Sequence, residues 1–131
     1  MIVVLDTHVW VWWMIEPTRL SPAARQSIEV AELRLIPAIA CWEVALAVER
    51  GRLALRPAGT AGDFFQRALN YENTRLAPLT PQIAVRAALL GPDFHKDPAD
   101  RLIAATAIEL NAPLVTRDAR MRAFTALQTT W

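Results

Sequence analysis

Among the 131 residues there is one cysteine, Cys41, so no internal disulfide is possible, and its apolar neighbours mark a buried, inert thiol suited to a reducing compartment. Only four glycines occur, at 51, 59, 62 and 91, and they form no GxGxxG, which removes a dinucleotide-binding turn from consideration. Two histidines, His8 and His95, with that lone cysteine leave no His–Cys set for zinc. Long apolar runs are missing too. Asp6 and His8 interrupt the apolar N-terminal stretch, its longest run is Val9 to Ile15, and no basic segment precedes it. Neither a membrane span nor a leader is expected, and the reading is a soluble, cytoplasmic protein. A surplus of one charge is also missing: 14 basic residues face 13 acidic ones for a net charge of +1, which is no global nucleic-acid signature.

What is present is apolar mass. At 53% hydrophobic residues the chain has material for one well-packed core, and a single domain over 1–131 is expected, without repeats, low-complexity segments or linkers. Thirteen of the 14 basic residues are arginine, whose planar fork suits phosphate and carboxylate. An arginine-rich genome explains the same bias, and both readings stand. Acids gathered in a metal site would in any case leave the rest of the surface more basic than the total suggests.

Strand and helix signals alternate. "IVVL" reads as a strand buried on both faces that stops at Asp6, and "HVWVWWMI" as a helix opening beside it. "LSPAARQSIEVAE" begins with a Ser21 cap and Pro22 at the first helical position, "LRLIP" is a second strand, and "AIACWEVALAVERG" is an apolar helix stopped by Gly51. A loop over 52–62 leads to a helix over 63–72 with Phe64, Phe65, Ala68 and Leu69 on one side, and "TRLAPL" is a third strand. Thr80–Pro81 and Asp97–Pro98 open two further helices, ending near Gly91 and Asn111; "APLVTRD" is a strand running toward Asp118, followed by the helical "ARMRAF" and a final strand in "LQTTW". This order predicts an α/β fold, a three-layer sandwich around a mainly parallel central sheet. Ligands in such folds sit beyond the carboxyl ends of the strands, so the residues after each strand carry the interest.

Carboxylates occupy those places. Asp6 ends the first strand and Asp118 follows "LVTR", although an Asp at a strand end also serves simply as a turn or helix cap. Glu43 lies inside "ACWEVALAV", where a carboxylate is costly unless paired, hydrogen-bonded or holding a metal. Asp97, Pro98 and Asp100 make a capping arrangement that needs no chemistry of its own. Taken together, however, several acids on one edge repel and call for protons or cations to compensate them. Hard oxygen donors indicate Mg²⁺ or Mn²⁺, ions suited to phosphodiester hydrolysis.

The pieces "VVLDTHVWVWW", "LSPAAR", "IPAIACWEVALAVERGRL" and "HKDPADRLIAATAIELNAPLVTRD" together resemble the PIN domain, specifically the VapC-type ribonuclease toxins of bacterial toxin–antitoxin pairs. The resemblance spans nearly the whole chain in the family's order. It implies that Asp6, Glu43, Asp100 and Asp118 are the acidic catalytic set, with Asp6, Asp100 and Asp118 holding Mg²⁺ or Mn²⁺ and Glu43 as a further ligand or the orienter of the attacking water. It also selects Asp100, immediately before "RLIAATA", over Asp97, which becomes a cap or a support. Thr116, and more weakly Thr7, are implied as hydroxyls that orient a carboxylate or water. The activity implied is metal-dependent cleavage of single-stranded or structured RNA by a homodimer, neutralised by a small VapB-like antitoxin.

Arg101, Arg117, Arg120 and Arg122 adjoin these acids in sequence and are candidates for gripping RNA phosphates, with surface exposure or internal ion pairing as the plain alternative. His8 and His95 are read as structural. The helix start at Asp97 places its positive end near Asp100, which favours the ionised carboxylate. Trp10, Trp12, Trp13 and Trp42 are read either as core or as a patch for a partner. Two rivals remain. A phosphatase with Asp6 as nucleophile would want a second Asp where His8 stands, and a non-catalytic α/β binding module would use the acids only as caps, leaving Glu43 unexplained.

Overall fold

The computed structural model describes residues 1–55 and 59–131. Residues 56–58, part of the expected 52–62 loop, lie outside the described residues. Five strands, β1 (Ile2–Leu5), β2 (Leu33–Pro37), β3 (Thr74–Ala77), β4 (Leu114–Val115) and β5 (Thr129–Thr130), form one parallel sheet in the order β3-β2-β1-β4-β5. Between them run α1 (Thr7–Ile15), α2 (Pro22–Glu29), α3 (Ala38–Glu49), α4 (Ala61–Leu69), α5 (Pro81–Ala88), α6 (Pro98–Glu109) and the short α7 (Ala119–Arg122). No described helix is long and apolar enough to cross a membrane.

The pleat sends alternate residues of the strands into two cores. Val3 and Leu5 of β1, with Ile36 and Val115, pack under α1, α2, α3 and α4 around Trp10 and Phe64, all buried. Val4 and Leu114 face the other way, onto Ile103, Ala104 and Ala107 of α6 and onto Met121. Strands covered on both faces have no polar side to present, which is why "IVVL" shows no alternation. Small residues in "AATA" let α6 lie close to the sheet; Ala104, Ala105 and Ala107 are all fully buried.

The cap signals act as expected at α2, α5 and α6: Ser21 Oγ accepts from the Ala24 N–H, Thr80 Oγ1 from Ile83, and Asp97 Oδ1 from Asp100. Gly51, with φ +68°, ends α3. α4 starts two residues before the expected Asp63, because Thr60 Oγ1 accepts from the Asp63 N–H and so serves as its cap. β4 stops at Val115, short of the expected approach to Asp118.

From β1 the chain steps through β2 to β3 on one side, then returns to place β4 and β5 on the other. The crossovers thus part company at the carboxyl ends of β1 and β4, opening the crevice where parallel sheets hold ligands. Asp6 follows β1 at that point, and Thr116 to Asp118 follow β4.

Candidate metal centre

Asp6 is the N-cap of α1 and only 5% exposed; its Oδ1 accepts from the Thr7 N–H at 2.7 Å and its Oδ2 from the Thr116 hydroxyl at 2.7 Å. Thr116 Oγ1 also accepts from the Asp118 N–H at 3.0 Å, so one hydroxyl ties the end of β1 to the start of α7. Asp118 is itself the α7 cap, with Oδ1 taking the N–H groups of Arg120 and Met121 at 2.8 and 3.0 Å. The Thr7 hydroxyl donates to Glu43 Oε1 at 2.6 Å, bringing the second turn of α3 to the same edge. Asp100 lies in the first turn of α6, where Asp97 supplies the cap and the Asp100 side chain is not spent on the helix backbone.

One residue set aside as structural joins them. His95 Nε2 lies 2.6 Å from Asp100 Oδ2, and one ligand atom from each of His95, Asp100 and Asp118 falls within 4.8 Å of the others. That tight group contains His95 beside two of the expected acids, and Asp6 is a buried carboxylate held by two hydrogen bonds. The sequence signal was modest: an imidazole five residues before Asp100, on the loop leading into a capped helix. His95 stacks on Phe94, which is buried, and this fixes the ring plane.

The acids influence one another's ionisation. Burial pushes the Asp6, Glu43 and Asp100 carboxyls above their ordinary range. Repulsion adds to it: Asp100 acts on Asp6 and Glu43, Asp6 and Asp97 act on Glu43, and Asp97 and Asp118 act on Asp100. At Asp100 burial thus outweighs the favourable α6 dipole expected from the sequence, and the carboxyl gives up its proton less readily than an ordinary one. A helix terminus is worth about 0.3–2 kcal/mol, while removing a carboxylate from water costs several, so desolvation dominates. Three carboxylates pushed up together, beside further oxygen donors, fit a hard divalent cation.

The arginines separate by job. Arg101 is committed to the fold: Nε donates to Ala87 O at 3.2 Å and Nη1 to Phe94 O at 3.1 Å, and the guanidinium also reaches Gly91 O and His95 O. It closes the α5 end and holds the loop that carries His95, so its guanidinium is not turned to a phosphate. Arg120 is exposed, with Nη2 3.8 Å from Asp100 and 3.6 Å from Asp118, and Arg117 is exposed with its guanidinium 5.9 Å from the Trp12 ring. Of the tryptophans, Trp10 and Trp12 are core, Trp13 stands edge-on to Tyr71, and Trp42 is 57% exposed.

The PIN domain model matches residues 3–127. The chain belongs to the PIN-domain family. It is 44% identical over 120 residues to Ribonuclease VapC22 of Mycobacterium tuberculosis, covering 92% of this chain and 89% of that protein. Among solved structures it resembles VapBC2 from Rickettsia felis bound to a promoter DNA fragment, with TM-score 0.72 at 17% identity over 98% of this chain and 97% of that one. A toxin–antitoxin complex from Klebsiella pneumoniae gives TM-score 0.64 at 19% identity, covering 95% and 94%. These likenesses confirm the α/β sandwich as a PIN fold.

Proposed function

We propose that this PIN-domain protein is a metal-dependent endoribonuclease toxin that hydrolyses RNA phosphodiester bonds and is neutralised by a cognate VapB-like antitoxin. The observation that carries the reading is the convergence of Asp6, Glu43, Asp100 and Asp118 beyond the ends of β1 and β4, three of them with carboxyls pushed up by burial and mutual repulsion. The kinship with Ribonuclease VapC22 supports the activity, and the VapBC-type neighbours support the antitoxin partner.

Asp6, Asp100 and Asp118 would hold Mg²⁺ or Mn²⁺, with Glu43 as a further ligand or as the orienter of the attacking water. A divalent cation supplies charge stabilisation at the phosphoryl oxygens and lowers the barrier to attack by water. The chain's own residues do the rest. Thr116 and the Thr7 N–H each bond one oxygen of Asp6 and fix the carboxylate, and each oxygen keeps a further lone pair as a donor for a cation. Thr7 fixes one oxygen of Glu43, leaving the other to orient water or accept its proton. Exposed Arg117 and Arg120 offer cations to a phosphate chain at the crevice mouth. The protein is read as cytoplasmic and as a homodimer; exposed Val85 on α5 and Leu89 at its C-terminal cap supply an apolar face for a second copy.

The rival binding module gains from the fact that Asp6, Asp97 and Asp118 are all helix caps. It leaves unexplained Glu43 and Asp100, half-buried acids that cap nothing. RNA cleavage measured with Mg²⁺ and with EDTA decides between them. Mg²⁺-dependent cleavage that falls by at least about 100-fold in Asp6→Asn and Asp100→Asn, and much less in Asp97→Asn, is expected. Full activity in Asp6→Asn, or activity indifferent to EDTA, would refute the nuclease.

A further inference from the structure

One arginine faces the carboxylates that the crevice offers to a cation. Asp118 commits Oδ1 to the backbone N–H groups of Arg120 and Met121, so Oδ2 is its oxygen left for an ion. Arg120 Nη2 stands 3.6 Å from that Oδ2 and 3.8 Å from Asp100 Oδ2. Among the described residues, no other arginine or lysine comes within ion-pair reach of Asp6, Glu43, Asp100 or Asp118. Arg19 and Arg86 pair with Glu16 and Glu109, while Arg34 and Arg101 donate to backbone carbonyls. The local chain explains the placement: Asp118 caps α7, and Arg120, two residues on, donates its own N–H to that cap, so its side chain starts beside the carboxylate it faces. The contact is loose. At 3.6 and 3.8 Å neither pair is a hydrogen bond, and charge attraction alone holds the guanidinium. The Arg120 side chain is 64% exposed against 17% for Asp100 and 26% for Asp118, so the arginine can move into water without opening a cavity.

We propose that Arg120 is a tethered counter-charge on the Asp100–Asp118 pair, which a divalent cation must displace in order to bind there. The inference rests on the metal-dependent reading of the site and adds to it a residue that opposes metal loading. Arginine cannot itself be a ligand, because its guanidinium stays protonated and has no lone pair for a metal. It contends only as a charge. Attraction scales with charge and falls with distance, so a small divalent ion in contact with the oxygens outbids a single charge held at 3.6 Å once its concentration suffices. Until then the arginine offsets part of the repulsion between the two carboxylates. Displacement frees the guanidinium at the crevice mouth, where a phosphate chain would meet it.

The test is Mn²⁺ titration calorimetry on the wild type, Arg120→Ala, Arg120→Gln and Arg122→Ala, at about 0.15 M salt, where exposed charges more than about 8 Å apart are largely screened. Arg122 belongs to the same α7, is exposed and has no ion-pair partner among the described residues, so its loss removes an equal charge without the contest. Both Arg120 variants are expected to bind Mn²⁺ about five-fold more tightly than the wild type, and Arg122→Ala to stay within about two-fold of it. Thermal melts give the second reading. In EDTA at neutral pH the Arg120 variants melt below the wild type, because the acids lose their counter-charge, and saturating Mn²⁺ closes the gap. Unchanged or weaker Mn²⁺ binding in the Arg120 variants overturns the proposal. So does an equal gain in Arg122→Ala, which would trace the effect to net charge, or a melting deficit that Mn²⁺ leaves in place, which would make Arg120 a plain structural contact. Absence of Mn²⁺ binding by the wild type removes the metal centre and this proposal with it, whereas Mn²⁺ binding without RNA cleavage removes only the nuclease.

Discussion

Asp97 and Asp100 sit three residues apart, yet one spends its side chain on the backbone and the other does not. Asp97 Oδ1 accepts the Asp100 N–H at 2.9 Å, an ordinary cap whose removal in Asp97→Ala costs about 1 kcal/mol of stability. Asp100 Oδ2 meets His95 Nε2, and with the ring stacked on Phe94 the imidazole holds that carboxylate in one rotamer. His95 is thus a positioning residue. His95→Ala is expected to weaken Mn²⁺ binding, followed by calorimetry, by about 10-fold or more, and His95→Gln, which keeps a donor, to recover part of the loss. Equal affinities in all three proteins would remove His95 from the site.

At the scale of elements, the chain builds the crevice by ending strands and beginning helices at one edge. α1, α6 and α7 all begin there, capped by Asp6, Asp97 and Asp118. The loop between α5 and α6 is held by Arg101, whose guanidinium satisfies carbonyls at the α5 end and beside His95. Arg101→Ala strands those partly buried acceptors and is expected to cost about 1.5–3 kcal/mol in denaturant unfolding. The salt dependence of RNA binding should stay as in the parent. A reduced salt slope with unaltered stability would return Arg101 to the set of phosphate contacts. Cap dipeptides such as Ser21–Pro22 and Thr80–Pro81 were legible because their physics is local. The start of α4 was less so, since Thr60 and Asp63 both suit a helix beginning and only the formed turn selects Thr60.

At the scale of the whole molecule, the buried acids oppose folding until something neutralises them. The folded chain holds protons on Asp6, Glu43 and Asp100 more tightly than the unfolded chain does. By linkage, their contribution destabilises the cation-free protein progressively as pH rises from the ordinary carboxylate range through these raised values. Thermal melts in EDTA should therefore fall less steeply with rising pH for Asp6→Asn than for the wild type, and Mg²⁺ at neutral pH should raise the wild-type melting temperature far more than that of the variant. Parallel pH profiles and equal metal responses in the two proteins would contradict a shared cation at these acids.

The sequence by itself determined the alternation of strands and helices, the doubly buried β1, and the acids at strand ends and helix starts, because periodicity, capping and burial cost are properties of neighbours along the chain. It also marked Glu43 as anomalous, since a carboxylate among Trp42, Val44 and Ala45 is conspicuous without knowing what it faces. Only the tertiary structure decided that Thr7 reaches Glu43 across 36 positions and Thr116 reaches Asp6 across 110. It decided as well that His95 meets Asp100, that Arg101 turns inward, and that Trp42 stays in water while Trp10 does not. Those outcomes depend on which faces the parallel sheet brings together at its reversal point, and no local pattern carries that information.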